Sequence, residues 1–106
     1  MKLASPYLAD GGVWLRGNLH THTTNSDGDR TPQEVADSYA ARNYDFLMLS
    51  DHDRFTDPCS CEDRGMILIP GSEVSAKGPH VLCVGASEPV EPSADRQQAV
   101  DAVVEA

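Results

Sequence analysis

All four histidines of the chain, His20, His22, His52 and His80, stand with the carboxylates Asp27 and Glu73 in short polar stretches beside apolar runs. Imidazole mixed with carboxylate is the ligand chemistry of zinc, manganese or iron, whereas a calcium site would use oxygen alone. In extended backbone His20-x-His22 points both rings to one side, because strand side chains alternate with period two. Such a pair suits one shared ion. Taken singly, each residue has an ordinary explanation. His20 and His22 fit surface positions in a polar loop, and Asp27-Gly28 fits a turn. His52 fits a hydrogen-bonded loop residue, Glu73 a solvated strand position, and His80 a buried, satisfied histidine. The use of every histidine in the same kind of position favours a common centre. Ser26 and Ser50 lie near these residues without a free histidine base, so a serine-hydrolase reading is poor. Arg16, Arg54 and Lys77 read as solvated loop charges rather than site residues.

The elements that must position this set follow from the apolar patterning. After the turn material Asp10-Gly11-Gly12, Val13 to Leu19 reads as a first strand and the polar stretch His20 to Arg30 as a loop. Thr31-Pro32-Gln33-Glu34 signals a helix start with Thr31 as cap, Pro32 in the first turn and Glu34 closing a capping box. That helix should run to about Arg42, packing through Val35, Ala36, Tyr39 and Ala40, with Asn43 ending it. Phe46 to Leu49 is a continuous apolar run, as expected of a strand buried on both faces. Beyond the loop Arg54 to Arg64, Met66 to Ile69 predicts a third strand. Pro70-Gly71 breaks it, Glu73-Val74-Ser75 resumes extended backbone, and Lys77-Gly78-Pro79 turns into a strand at Val81 to Val84. Ser93 is the expected cap of a last helix carrying Val100, Val103 and Val104. The order β, α, β, β, β, α favours a mainly parallel α/β arrangement.

Composition bounds the function. The 106 residues suffice for one domain, residues 1–106, and 40% hydrophobic with 24% charged content is globular rather than disordered. Seventeen acidic residues against eight basic ones, a net charge of −9, provide no basic stripe for long nucleic acid. No apolar run approaches a membrane span, and Met1 to Asp10 lacks the apolar centre of a secretory signal, so the expected location is the cytoplasm. Cys59, Cys61 and Cys83 are an odd set that reads as free thiols, since a lone Cys-x-Cys is a weak zinc signal.

Asn18-Leu19-His20-Thr21-His22-Thr23, Ser26-Asp27-Gly28, Ser50-Asp51-His52-Asp53, Pro70-Gly71-Ser72-Glu73 and His80-Val81-Leu82 resemble, in order and approximate spacing, successive motifs of the PHP (polymerase and histidinol phosphatase) family. The resemblance covers roughly residues 13 to 85 and extends to the helix start at Thr31-Pro32-Gln33-Glu34-Val35 and the strand entry at Tyr44-Asp45-Phe46-Leu47. It implies the amino-terminal part of a distorted (β/α)7 barrel, with up to three divalent ions at the carboxyl ends of the strands. By position, His20 and His22 would hold the first ion, Glu73 would bridge first and second, His80 would hold the second, and Asp27 and His52 the third. The family completes its cluster with a later histidine and an Asp-x-His pair. After His80 this sequence has no histidine, so the expectation is an incomplete barrel with an open sheet edge.

The activity implied is metal-dependent phosphoesterase chemistry on mono- or diesters. Divalent ions lower the pKa of bound water, a bridging hydroxide attacks phosphorus in line, and coordination neutralises the developing charge. Three divalent ions would supply roughly +6 against the acidic excess. The expected substrate is a small phosphorylated compound such as a nucleotide or sugar phosphate, with no membrane partner. Self-association through an open sheet edge is also expected. The alternative is a catalytically incomplete metal-binding or assembly module that needs a partner chain or a carboxyl-terminal half. Asp51 and Asp53 flank His52, and one of them would orient its ring.

Overall fold

The computed structural model describes residues 11–106. The Met1 to Asp10 stretch lies outside the described residues, as does Asp10 of the expected first turn; Gly11 of that turn has φ 76°. Five strands and two helices follow: β1 (Gly17–Thr21), α1 (Pro32–Ala40), β2 (Phe46–Leu49), β3 (Ile67–Ile69), β4 (Gly71–Val74), β5 (Val81–Val84) and α2 (Arg96–Glu105), with one 3-10 turn at Pro58–Ser60. The chain is therefore α/β, with a parallel three-stranded sheet ordered β1-β2-β3 and an antiparallel hairpin β4-β5.

The first strand begins later than its apolar residues predict. Val13, Trp14 and Leu15 are exposed and outside the sheet, and the ladder starts where Gly17 faces Phe46. Any Cβ at residue 17 would run into the Phe46 ring, so glycine is what permits the first rung. The strand then extends through His20 and Thr21, which the polar composition assigns to a loop. Backbone pairing has overridden side-chain polarity there.

Helix α1 forms as its caps dictate. Thr31 Oγ1 accepts from the Glu34 backbone N–H at 3.2 Å, and its own hydroxyl donates to Glu34 Oε1 at 3.1 Å. Val35 and Ala36 are buried against Leu47, Leu49 and Met66, with Tyr39 and Ala40 packed alongside. The helix stops at Ala40, slightly before Arg42, and Asn43 adopts φ 60°, a conformation asparagine tolerates. Leu47, Met48 and Leu49 are buried, as expected for a central strand flanked on both edges.

The second layer differs from expectation in two ways. The turn after β4 reverses the chain directly, so β4 and β5 pair antiparallel in the register Glu73↔Leu82 and Val74↔Val81. At α2 the cap is Asp95, whose carboxylate accepts from the Gln98 N–H at 2.9 Å; Ser93 instead accepts from the Asp95 N–H at 3.1 Å. The cap thus lies two residues beyond the expected one; Ala102 and Val103 pack against Val74, Cys83 and Val90, Ala99 is buried, and Val100 and Val104 are exposed. Among the described residues no helix is long and apolar enough to cross a membrane.

Sheet and hairpin meet at one place. His52 and Glu73 form an isolated parallel bridge, with the Glu73 N–H donating to Asp51 O at 3.1 Å and the Asp53 N–H to Glu73 O at 2.8 Å. Strand β4 thus continues the sheet beyond the carboxyl end of β2.

Candidate metal centre

Each of the six expected residues is placed by one of these strand ends. His20 is in β1 and His22 just follows it, while Asp27 lies in the loop beyond; His52 follows β2, Glu73 is in β4, and His80 precedes β5. All six converge. His20 Nε2 and His22 Nε2 lie 2.8 and 2.6 Å from Glu73 Oε2, which is the same-side geometry that alternating strand residues predict. The other carboxylate oxygen, Oε1, faces His80 Nδ1 at 2.9 Å. Asp27 reaches in from the opposite side, with Oδ1 at 3.0 Å from His22 Nδ1 and Oδ2 at 3.3 Å from His52 Nε2.

Glu73 is the hub. It is only 2% exposed, and its ion-pair partners are His20, His22, His52 and His80. Burial on its own would raise the carboxyl's pKa; hydrogen bonds from His20, His22 and His80 outweigh it and hold the group below the ordinary glutamate value. The carboxylate is ionised in a pocket of imidazoles.

The loop carrying Asp27 is held by a second carboxylate. Asp51 is fully buried and accepts from the Thr23 N–H at 2.7 Å, Thr23 Oγ1 at 2.8 Å, Ser26 Oγ at 2.7 Å and Thr56 Oγ1 at 2.5 Å. Burial raises its pKa, but these bonds more than compensate and the net shift is downward. Gly28 closes the same loop, its N–H donating to Thr23 O at 2.9 Å, and a Cβ there would lie 2.6 Å from the His22 carbonyl oxygen.

The donor set fits a divalent cation. Three groups have ligand atoms within 4.8 Å of one another: His20, His22 and Glu73; His22, Asp27 and His52; and His52, Glu73 and His80. Two donors on one tetrahedral zinc ion, each about 2.0–2.1 Å from it, stand about 3.4 Å apart, so the contacts of His20 and His22 with Glu73, at 2.8 and 2.6 Å, would open by less than an ångström to reach that spacing. Proton counting points the same way. A neutral His22 has one N–H for two carboxylate contacts, so whichever nitrogen donates, the other presents a lone pair to a carboxylate oxygen. A cation between them, or a second proton on the ring, removes that conflict.

Sequence reasoning did not find Ser75, whose Oγ is 2.7 Å from His52 Nδ1. Its period-two relation to Glu73 on one face of an extended segment was the available signal. Thr23 and Thr56, which hold Asp51, carried no motif at all. Arg16, expected as a solvated loop charge, has its Nη1 donating to Arg42 O at 3.2 Å and its guanidinium over Tyr44. Cys59, Cys61 and Cys83 are all free, and burial pushes the Cys83 thiol pKa up. No family model matches the chain, and searches of curated proteins and of solved structures found no match either.

Proposed function

We propose that this chain carries the metal centre of a divalent-metal-dependent phosphoesterase of the PHP type, with the described α/β sheet as the amino-terminal part of the family's distorted barrel. The observation that carries the reading is the convergence of every histidine of the chain on the buried Glu73, with Asp27 meeting two of them, His22 and His52. His20, His22 and Glu73 would hold one ion, Glu73 with His80 a second, and Asp27 with His22 or His52 a third. Bound zinc, manganese or iron supplies Lewis acidity toward a phosphoryl group and acidifies a water nucleophile. The chain's own residues fix the geometry: Glu73 offers one oxygen to each side of the site, and the Asp51 clamp presents Asp27 across from it. Small phosphate esters such as nucleotides or sugar phosphates are the substrates that suit this chain, because 17 acidic residues against eight basic ones disfavour a long nucleic-acid backbone.

One observation favours a second reading, a metal-binding module without turnover. Zinc ions with three or four protein ligands each would together require about nine to twelve donors, and each of the three groups shares residues with another. Elemental analysis of the purified chain, beside hydrolysis of p-nitrophenyl phosphate with manganese, zinc or iron, separates the cases. The phosphoesterase reading expects metal and turnover, both lost in Glu73→Gln. Metal without turnover selects the module, and absence of metal under all three conditions sinks both.

A further inference from the structure

His52 belongs to two candidate groups, facing Asp27 through Nε2 at 3.3 Å and Glu73 through Nδ1 at 3.6 Å. Which group it serves depends on which nitrogen carries the proton. The nearest partner of Nδ1 is Ser75 Oγ at 2.7 Å, and that hydroxyl also stands 3.1 Å from Asp53 Oδ2. A serine hydroxyl has one proton, and an ionised carboxylate only accepts. If Ser75 donated to the ring, its oxygen would be left against Asp53 with no proton between them. The arrangement that satisfies both contacts is directional: Nδ1–H donates to Ser75 Oγ, and Ser75 Oγ–H donates to Asp53 Oδ2.

The backbone is built around this chain of bonds. Asp53 adopts φ 51°, in the left-handed region that costs most side chains energy and that aspartate enters more readily than most. There its Oδ1 accepts from the Ser75 backbone N–H at 2.9 Å while its own N–H donates to Glu73 O at 2.8 Å. Asp53 and Ser75 are therefore held to each other by main chain as well as side chain.

From this geometry we infer that Asp53 and Ser75 are positioning residues that fix His52 in its Nδ1–H tautomer, commit its Nε2 lone pair to the group with His22 and Asp27, and withhold the ring from Glu73 and His80. The inference deepens the metal-centre reading and rests on it for the ligand role of Nε2; the tautomer is read from the Nδ1 contacts with Ser75 and Asp53, and it leaves the Nε2 lone pair facing Asp27 Oδ2 at 3.3 Å, where a cation would sit. Removing the hydroxyl frees the ring, as outer-sphere partners of metal-bound histidines typically alter affinity by about 10- to 100-fold.

The test uses the full chain, 15N-labelled at histidine, with Ser75→Ala and Ser75→Thr. Long-range 1H–15N correlation spectra of the metal-free protein at about pH 8, above the ordinary histidine pKa of about 6.5, read the tautomer directly. The wild type and Ser75→Thr are expected to show His52 as Nδ1–H, and Ser75→Ala a mixture. Zinc titration, with cobalt absorption as the spectroscopic readout, is expected to weaken about 10- to 100-fold in Ser75→Ala and to recover in Ser75→Thr. An Nε2–H tautomer in the wild type overturns the inference, as does Ser75→Ala with unchanged tautomer and zinc affinity. An Nδ1–H tautomer in a wild type that binds none of zinc, manganese or iron upholds the relay and overturns the metal-centre reading instead.

Discussion

Asp51 Oδ1 and the Thr23 backbone N–H are 2.7 Å apart, joining the end of β2 to the loop that delivers Asp27. The same carboxylate takes three hydroxyl donors, and both Asp51 and Thr23 are fully buried. Hydrogen bonds to a charged acceptor contribute about 1.5–3 kcal/mol each, and a buried donor left unpaired costs about 1–3 kcal/mol. Asp51→Ala is expected to lower stability by at least about 3 kcal/mol, which for a domain of this size is a fall in Tm of more than about 12 °C. Calorimetry decides it; a fall of only about 2 °C would show the clamp to be incidental.

Acid should act through the same group. The folded-state pKa of Asp51 is depressed, so its contribution is fully present above the unfolded value of about 3.9 and is lost as pH falls through the folded one. Denaturant midpoints measured from pH 6 downward should decline toward strongly acid pH. Asp51→Asn, less stable at pH 6, should decline less steeply. Parallel curves for the two proteins would mean that other carboxylates carry the acid sensitivity.

Gly28 and Asp27 are adjacent but fail differently. A Cβ at residue 28 would press on the His22 carbonyl, so Gly28→Ala is expected to cost about 1–3 kcal/mol and also to weaken zinc binding. The Asp27 side chain is 64% exposed, so Asp27→Asn should weaken zinc binding with Tm nearly unchanged. Equal loss of stability in the two variants would contradict this division.

Occupied sites stabilise by mass action. Zinc at about 100 times its dissociation constant adds about 2.7 kcal/mol to folding stability, and a chelator should remove that increment, lowering Tm by about 10 °C. A melting curve indifferent to both zinc and chelator would leave the imidazole cluster without an ion to hold.

The start of α1 and the central strand Phe46–Leu49 were legible because a continuous apolar run and the Thr31-Pro32 helix start are local signals. So were the six clustered residues, since polar groups at strand ends share one rim of a sheet. The expected order was one strand short, because the mixed-polarity stretch Gly71–Val74 forms β4 by pairing with β5. The errors came where tertiary pairing decides. Val13 to Leu15 look like strand but lie outside the β1–β2 ladder, which starts at Gly17, and His20 looks like loop but belongs to β1 beside β2. Ser93 and Asp95 are both good caps, so the residue types alone did not say which one starts α2; in the fold Asp95 caps it and Ala99 is its buried residue. Ser75 is a common residue whose importance arises from Asp53 in an unusual backbone conformation, which no pattern of residue types announces.

Glu73 is joined to the sheet by its main chain and to the histidines by its side chain. The seam between the two layers and the hub of the imidazole cluster are therefore one residue. If the hairpin peels away, the cluster is dismantled in the same movement, so deuterium uptake at the Glu73 amide would track ligand disassembly.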